Sequence, residues 1–318
     1  MSANISAEVP KAPTWEDLNV TSLTGMRLNV MILTAGLGTR LRPYTLSMAK
    51  PAISFLGVPL ALHALRPALH LPVRRLVANL HYRPEDVRQT LARTGQQVVY
   101  SEEKEILGVG GGVANAKAWL EDEENILVIN GDEVFLPEDP EILAPAFARH
   151  VEDQDLATLV TMHHPEVGRK FGGVWVDSSN TVRQFSKTPV AGLGGQHFPG
   201  YTFLHRRIFN YFSQPPRQEN LLYETLAAAI GKGEKVSTYP VQAHWFETGN
   251  TEDFLKSSEE LLHLLEDYTR GALSTTWLKE LAQFLLLHRP WTFVLERDRP
   301  PLLSRLQKLE TRLGDQFA

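Results

Sequence analysis

The chain contains no cysteine, which excludes disulfides, thiolate metal sites and a thiol nucleophile. It has no long apolar run: stretches such as Phe284 to Leu287 fall far short of the ~20 residues a membrane-spanning helix needs. The first 25 residues are polar, carry Pro10 and Pro13, and lack the basic start and apolar stretch of a secretion signal. The expected setting is therefore cytoplasmic, with no membrane partner. A formal net charge of −5 gives no support to a nucleic-acid partner. There is no internal repeat and no low-complexity tract. His163 and His164 lack metal-ligand spacing to a third group and read as strand-end residues.

A more informative absence is local. From Leu18 to Pro84 there is not one Asp or Glu, while Arg27, Arg40, Arg42, Lys50, Arg66, Arg74, Arg75 and Arg83 all fall within it. A basic segment inside an acidic chain raises the local concentration of an anionic ligand.

What is present alternates. Short apolar runs predict buried strands at Leu28–Leu33, Arg75–Leu80, Gln97–Tyr100 and Ile126–Ile129. Helical stretches lie between them at Leu60–Ala68, Pro84–Arg93 and Val113–Leu120. Strand alternating with helix predicts a parallel sheet covered on both faces. After Pro140 the pattern becomes mixed. Strands are expected at Leu156–Met162, Gly173–Val176, Val182–Phe185, Gly200–Leu204 and Val236–Tyr239, continuing the same sheet. Leu221–Ile230 is helical and stops at Gly231. From Thr251 the chain is helical. Thr251 is the expected cap before Glu252-Asp253, whose charges suit a helix N-terminus. Ser274–His288 forms a second helix, and Leu302, Leu306, Leu309 and Leu313 mark one face of a third. This region reads as a docked helical cap, with a homo-oligomer contact as the sharper alternative.

The chemistry starts after the first strand, at Gly36-Leu37-Gly38-Thr39-Arg40-Leu41-Arg42-Pro43. Three phosphate-loop readings compete. A dinucleotide fingerprint wants a small residue where Leu41 stands and an acid roughly 20 residues on; no acid occurs before Glu85. A P-loop needs Gly-Lys-Ser/Thr, which is absent. The third reading is a longer glycine loop with basic side chains of its own. Gly36 and Gly38 let backbone N–H groups approach phosphate. Arg40 can fork onto two oxygens, and Lys50 supplies a point charge. The bland reading, a tight turn with solvated arginines, stays open on this pattern alone.

Gly-x-Gly-Thr-Arg-Leu-x-Pro-x-Thr from Gly36 to Thr45, followed by Lys50-Pro51, resembles the signature of the sugar-1-phosphate nucleotidyltransferases. The closest likeness is to short bacterial members acting on mannose 1-phosphate or N-acetylmuramic acid 1-phosphate. The resemblance covers about residues 27 to 262 and implies an α/β, Rossmann-like fold with a mixed, mainly parallel central sheet plus a C-terminal helical extension. The implied division is an N-terminal extension over 1–25, a nucleotidyltransferase domain over 26–262 and helices over 263–318. The partners it implies are a nucleoside triphosphate and a sugar 1-phosphate, and the implied cofactor is Mg²⁺.

Residue by residue, the resemblance implies that Ala35, Gly36, Gly38 and Thr39 hold nucleotide phosphates. Asn79 would stand beside the base, and Gly110 and Gly111, in a glycine run preceding a helix, would let backbone approach it. Arg40, Lys50, Asp132 and Lys187 are the implied catalytic set. Asp132 ends an apolar strand, where parallel sheets bind ligands, and is one expected metal ligand. Glu247, in His244-Trp245-Phe246-Glu247-Thr248-Gly249-Asn250-Thr251, is the other, although the family has Asp there. Ser186 stands where many members carry a sugar-binding Glu before Lys187. Gly173, Gly200, Tyr201 and Glu224 are the further sugar-pocket candidates. The departures at Ser186 and Glu247 motivate an alternative, a non-catalytic nucleotide or nucleotide-sugar sensor on the same scaffold.

Overall fold

In the computed structural model, which describes Leu23 and residues 25–317, β1 (Leu28–Leu33) is the hub. Its side chains alternate: Val30 and Ile32 enter one buried cluster, Met31 another on the opposite face. The N-terminal extension lies almost entirely outside the described residues.

After β1 the chain makes three short 3₁₀ turns (Thr39–Leu41, Tyr44–Leu46, Lys50–Ala52) and a small hairpin of β2 (Ser54–Phe55) and β3 (Val58–Pro59). α1 (Leu60–Leu65) follows. The helix expected to reach Ala68 becomes a 3₁₀ turn over Arg66–His70, where Pro67 lacks the amide that α-helical bonding requires. The chain continues through β4 (Val73–Leu80), α2 (Pro84–Ala92), β5 (Val98–Glu102), α3 (Gly108–Asn115), α4 (Lys117–Leu120) and β6 (Asn125–Asn130). Next come β7 (Val134–Pro137), α5 (Leu143–Asp153), β8 (Ala157–Met162), β9 (Gly173–Val176), β10 (Val182–Ser186), β11 (Gly194–Gln196) and β12 (Tyr201–His205). A π-helical turn over Leu221–Leu226 leads into α6 (Ala227–Gly231), then β13 (Val236–Val241), β14 (Ala243–Phe246), α7 (Thr251–Thr269), α8 (Thr276–Leu287) and α9 (Pro300–Gln316).

Seven strands form the central sheet in the order β13-β8-β12-β6-β1-β4-β5. All neighbours run parallel except β12, which is antiparallel to both β6 and β8. β4 and β6 flank β1, so the connections leave β1 to opposite sides. That is the switch point, and the crevice beyond the carboxyl ends of such strands is where ligands bind.

Two expectations need correction. β9, β10 and β11 form a separate three-stranded antiparallel sheet rather than extending the central one. Trp175 there lies so close to Gly195 that a Cβ would stand 2.8 Å from its ring. The cap of α7 is Asn250, one residue before the expected Thr251; its Oδ1 accepts from the Asp253 N–H at 3.0 Å.

A third core cluster joins the C-terminal helices to the rest. Leu41, Ile53, Phe55, Val134 and Phe246 pack with Phe254, Leu262 and Leu265 of α7, Leu278 and Leu281 of α8, and the α9 leucines. The stripe Leu302, Leu306, Leu309 and Leu313 is thus buried within the chain itself, at 7% exposure or less. The helix α7 runs continuously through the expected boundary at 262. No described helix is long and apolar enough to cross a membrane.

Candidate active site

Gly38 takes a left-handed backbone (φ 60°) that turns the loop back on itself. A Cβ there would stand 2.9 Å from Thr45 Cγ2 and 3.0 Å from Lys50 Cβ, so the loop closes on both. Thr45 Oγ1 donates to the Gly38 carbonyl at 2.9 Å, and Leu41 is fully buried. Gly36 differs: a Cβ on it would meet nothing within 4 Å, because it faces open space.

Two cavities adjoin at this loop. The first, about 380 Å³, is lined by Ala35, Gly36, Gly38, Thr39, Asn79 and Glu103 among others. The second, about 300 Å³, is lined by Glu133, Lys170, Phe171, His197, Trp245 and Glu247 among others. Arg40, Lys50, Asp132 and Gly249 border both and form their common wall.

In that wall Lys50 Nζ lies 2.5 Å from Asp132 Oδ2, with the lysine side chain 11% exposed. Burial alone would raise the Asp132 pKa. The Lys50 charge and hydrogen bond, aided by Arg40, outweigh it and hold the carboxyl below its ordinary range. Its neighbour Glu133 goes the other way. Burial and the Asp132 charge push it up to about 8, against hydrogen bonds from Trp245 Nε1 at 2.7 Å and Asn130 Nδ2 at 3.1 Å. Adjacent carboxyls in one crevice thus hold different protonation states, as like charges at close quarters demand.

Asn79 is 3% exposed and fully occupied as a brace. Its Oδ1 accepts from the Thr34 N–H at 2.7 Å, and its Nδ2 donates to Glu103 Oε1 at 2.7 Å. Glu103 Oε2 accepts from the Leu107 N–H at 3.0 Å, tying the end of β4 to the start of α3. Glu247 Oε1 accepts from the Gly249 N–H at 2.6 Å. Arg40 lies over the same glycine, whose Cβ would come within 3.0 Å of its Nη2.

The second cavity has an aromatic wall. His197, 5% exposed, has its ring centroid 4.3 Å from that of Trp245, with Phe171 and His164 each 5.3 Å from it. Burial and the nearby His164 depress His197 to about 4, so it is neutral near pH 7. Neither ring nitrogen has a hydrogen-bond partner among the described residues. Lys170 stands at the same cavity, paired to Asp253 at 2.9 Å.

The predicted site residues separate accordingly. Ala35, Gly36, Gly38, Thr39, Arg40, Lys50, Asn79, Asp132 and Glu247 come together around the two cavities. Gly110 and Gly111 do not. The glycine run forms the first turns of α3 instead of preceding it, and the Gly110 N–H donates to the Glu219 carbonyl at 2.9 Å. A Cβ at Gly111 would fall 1.9 Å from the Arg217 carbonyl, so close chain packing demands these glycines. Tyr201 is fully buried, its hydroxyl donating to the Ala64 carbonyl at 2.8 Å, and it contributes to the core. Gly173 is packed against Val167 and Trp175. Ser186 accepts from the Thr188 N–H at 3.1 Å. Lys187 and Glu224 are exposed and outside both linings. Gly200 (φ 92°) packs on Asn130 and Glu133 and lines a separate small cavity with Phe198 and Leu222. Sequence reasoning missed Glu103, Glu133, Lys170, His197 and Trp245. Only Glu133 and Trp245 carried a signal, by adjacency to Asp132 and Glu247.

Comparison with known proteins agrees with this geometry. Residues 29–263 match the family model described as Nucleotidyl transferase. The mannose-1-phosphate guanylyltransferase catalytic subunit beta of Dictyostelium discoideum is 25% identical over 252 residues, covering 78% of this chain and 68% of that one. The mannose-1-phosphate guanylyltransferase of Mycobacterium tuberculosis is 27% identical over 240 residues, covering 74% and 65%. The chain therefore spans about two thirds of the length of these curated relatives. In fold it is similar to UDP-glucose pyrophosphorylase from Acinetobacter baumanii, with a TM-score of 0.65 at 18% identity over 82% of this chain and 99% of that one. It is likewise similar to HddC from Yersinia pseudotuberculosis, with a TM-score of 0.59 at 22% identity over 74% and 99%. With a glycine-arginine loop at the switch point of its sheet and a family match across most of its length, the chain belongs to the nucleotidyl transferase family.

Proposed function

We propose that the chain transfers a nucleoside monophosphate from a nucleoside triphosphate to a sugar 1-phosphate, with GTP and a hexose 1-phosphate such as mannose 1-phosphate as the first substrates to test. The observation that carries this reading is the shared wall. Two chambers meet at Arg40, Lys50 and Asp132, as a reaction joining two phosphorylated substrates requires. The names of the curated relatives supply the choice of guanine and mannose.

In the proposed reaction an oxygen of the sugar phosphate attacks the α-phosphorus, the bond to the bridging oxygen breaks, and pyrophosphate leaves. The acceptor phosphate is already ionised near neutral pH, so no general base is needed. Catalysis is then positioning and charge stabilisation. The glycine loop would hold the triphosphate with backbone N–H groups. Arg40 would stabilise the departing β- and γ-phosphates, and Lys50 would sit by the reacting phosphorus. Phe171, Trp245 and His197 would face the sugar. Lys170, already at that chamber, would meet the acceptor phosphate, and Lys187, which packs beside Gly172 outside the lining, would have to swing in to reach it.

Asp132 and Glu247 fit a Mg²⁺ ion. Asp132 is held ionised, both carboxylates border the second chamber, and Mg²⁺ commonly binds through one or two carboxylates with water and phosphate completing its shell. When bound, it would supply neutralisation of phosphate charge.

The test is pyrophosphate release from GTP, UTP, CTP, dTTP and ATP against a panel of sugar 1-phosphates. Turnover with one pair supports the reading. Tight nucleotide binding without turnover across the whole panel would favour the sensor instead.

A further inference from the structure

A separate cleft of about 310 Å³ lies between α1 and α8 and shares no lining residue with either chamber. Its apolar wall is Leu62, Leu65, Leu69, Phe284 and Leu287. Among these stands Arg66, only 6% exposed. Its Nε and Nη2 are buried without a hydrogen-bond partner, and no ion pair reaches the guanidinium among the described residues. A charge left unpaired in an apolar setting is costly to the fold. Its persistence beside a cleft of ligand size needs a reason.

The other charged group at this cleft is Glu280 of α8, half-buried and more than ion-pair distance from Arg66. The two charges attract across the cleft but form no contact ion pair. His70, also in the lining, is 4.0 Å from Glu141, and the neutral rim includes Thr94 and Gln283.

We propose that this cleft is a second ligand site, for a small organic carboxylate with an apolar body. The carboxylate would pair with Arg66 and the body would lie on the leucine and phenylalanine wall. An ammonium group on the same molecule would meet Glu280, so an apolar α-amino acid would answer both charged side chains and the apolar wall of the cleft. Little water competes there, so the ion pair is stronger than on the surface. One partner of the site is on the sheet domain and the other on the C-terminal helices, so occupancy would clamp the two together.

The test uses the full chain and three probes: leucine, isocaproate, which lacks the amine, and isopentylamine, which lacks the carboxylate. Binding is read by calorimetry and by thermal unfolding. Leucine and isocaproate should bind saturably and raise Tm, whereas isopentylamine should do neither. Arg66→Met should weaken both by at least ~10-fold, the loss of one charged hydrogen bond, while raising Tm without ligand. Gln283→Trp, on an exposed position of α8, should block the cleft and abolish binding with Arg66 intact. Glu280→Gln should weaken leucine relative to isocaproate. The proposal fails if neither carboxylate binds at millimolar concentration. It fails equally if Arg66→Met lowers Tm, which would make Arg66 a structural residue, or if Gln283→Trp binds as the parent does. Pyrophosphate release does not enter this comparison, so the outcome is independent of the proposed reaction.

Discussion

Lys50 and Asp132 lie 82 positions apart in sequence and 2.5 Å apart in space, at the boundary between the two chambers. The pair acts as one unit, because each charge is what makes the other tolerable there. Lys50→Met should lower kcat/KM for the triphosphate by ~10²–10³, the usual scale for losing a transition-state charge contact. Asp132→Asn should do likewise, and the double variant should be little worse than either single one. Additive losses in pyrophosphate release would show that the two act separately.

His197 offers a cleaner probe of the proposed acceptor chamber. His197→Phe keeps the ring packed on Trp245 but removes both nitrogens. KM for the sugar phosphate should rise ~10-fold, with KM for the triphosphate unchanged. Lys170→Met and Lys187→Met should show the same selective rise. A rise confined to the triphosphate would place this chamber on the wrong substrate.

Gly111 and Gly36 look alike in sequence and should behave oppositely. Gly111→Ala forces a Cβ within 1.9 Å of a carbonyl oxygen, so unfolding measurements should show a loss of ~3 kcal/mol or more, with no selective effect on substrate. Gly36→Ala meets open space, so its stability should be nearly unchanged while KM for the triphosphate rises.

The pH dependence of stability follows from buried groups. Burial pushes Glu296 up to about 7, opposed by hydrogen bonds that include the Leu56 N–H and Ser258. The folded chain therefore keeps a proton that the unfolded chain releases near ~4.3. This contribution is complete below that value and is lost as pH rises toward 7. Burial depresses His63 and His150 to about 3, and His197 and His288 to about 4. The unfolded chain takes up these protons below ~6.5, so stability also falls as pH drops beneath that value. The maximum should lie near ~pH 6.5. Relative to the parent chain, Glu296→Gln should be ~3 kcal/mol more favourable at pH ~8 than at pH ~5 in urea titrations. An equal offset at both would refute a neutral buried Glu296.

Much of the sheet was legible because its strands are short apolar runs bounded by turn residues. The glycine-arginine loop was legible because Gly38, Arg40 and Lys50 are local in sequence. The second cavity was not. Lys170 and His197 come from separate connections and Trp245 from β14, and no periodicity links them. The glycine run at Gly108–Gly112 misled because glycine serves close chain packing as readily as ligand approach, and the segment it packs against lies about a hundred residues away in sequence. Tyr201 misled because an aromatic beside a motif is as easily core as pocket.

Leu41 sits in the glycine-arginine loop, yet its side chain is buried in a cluster that includes the helices beginning at Thr251. On the ribosome the loop emerges early, whereas its anchor arrives only after the entire sheet has been made. Synthesis is vectorial, and a nascent chain already carrying all seven central strands would hold the loop by Thr45 and the Lys50–Asp132 pair but still lack the helical part of the packing around Leu41. The hydrophobic cluster beneath the loop is thereby completed only when the late helices dock, which ties the local shape of the site to the part of the chain made last among these elements.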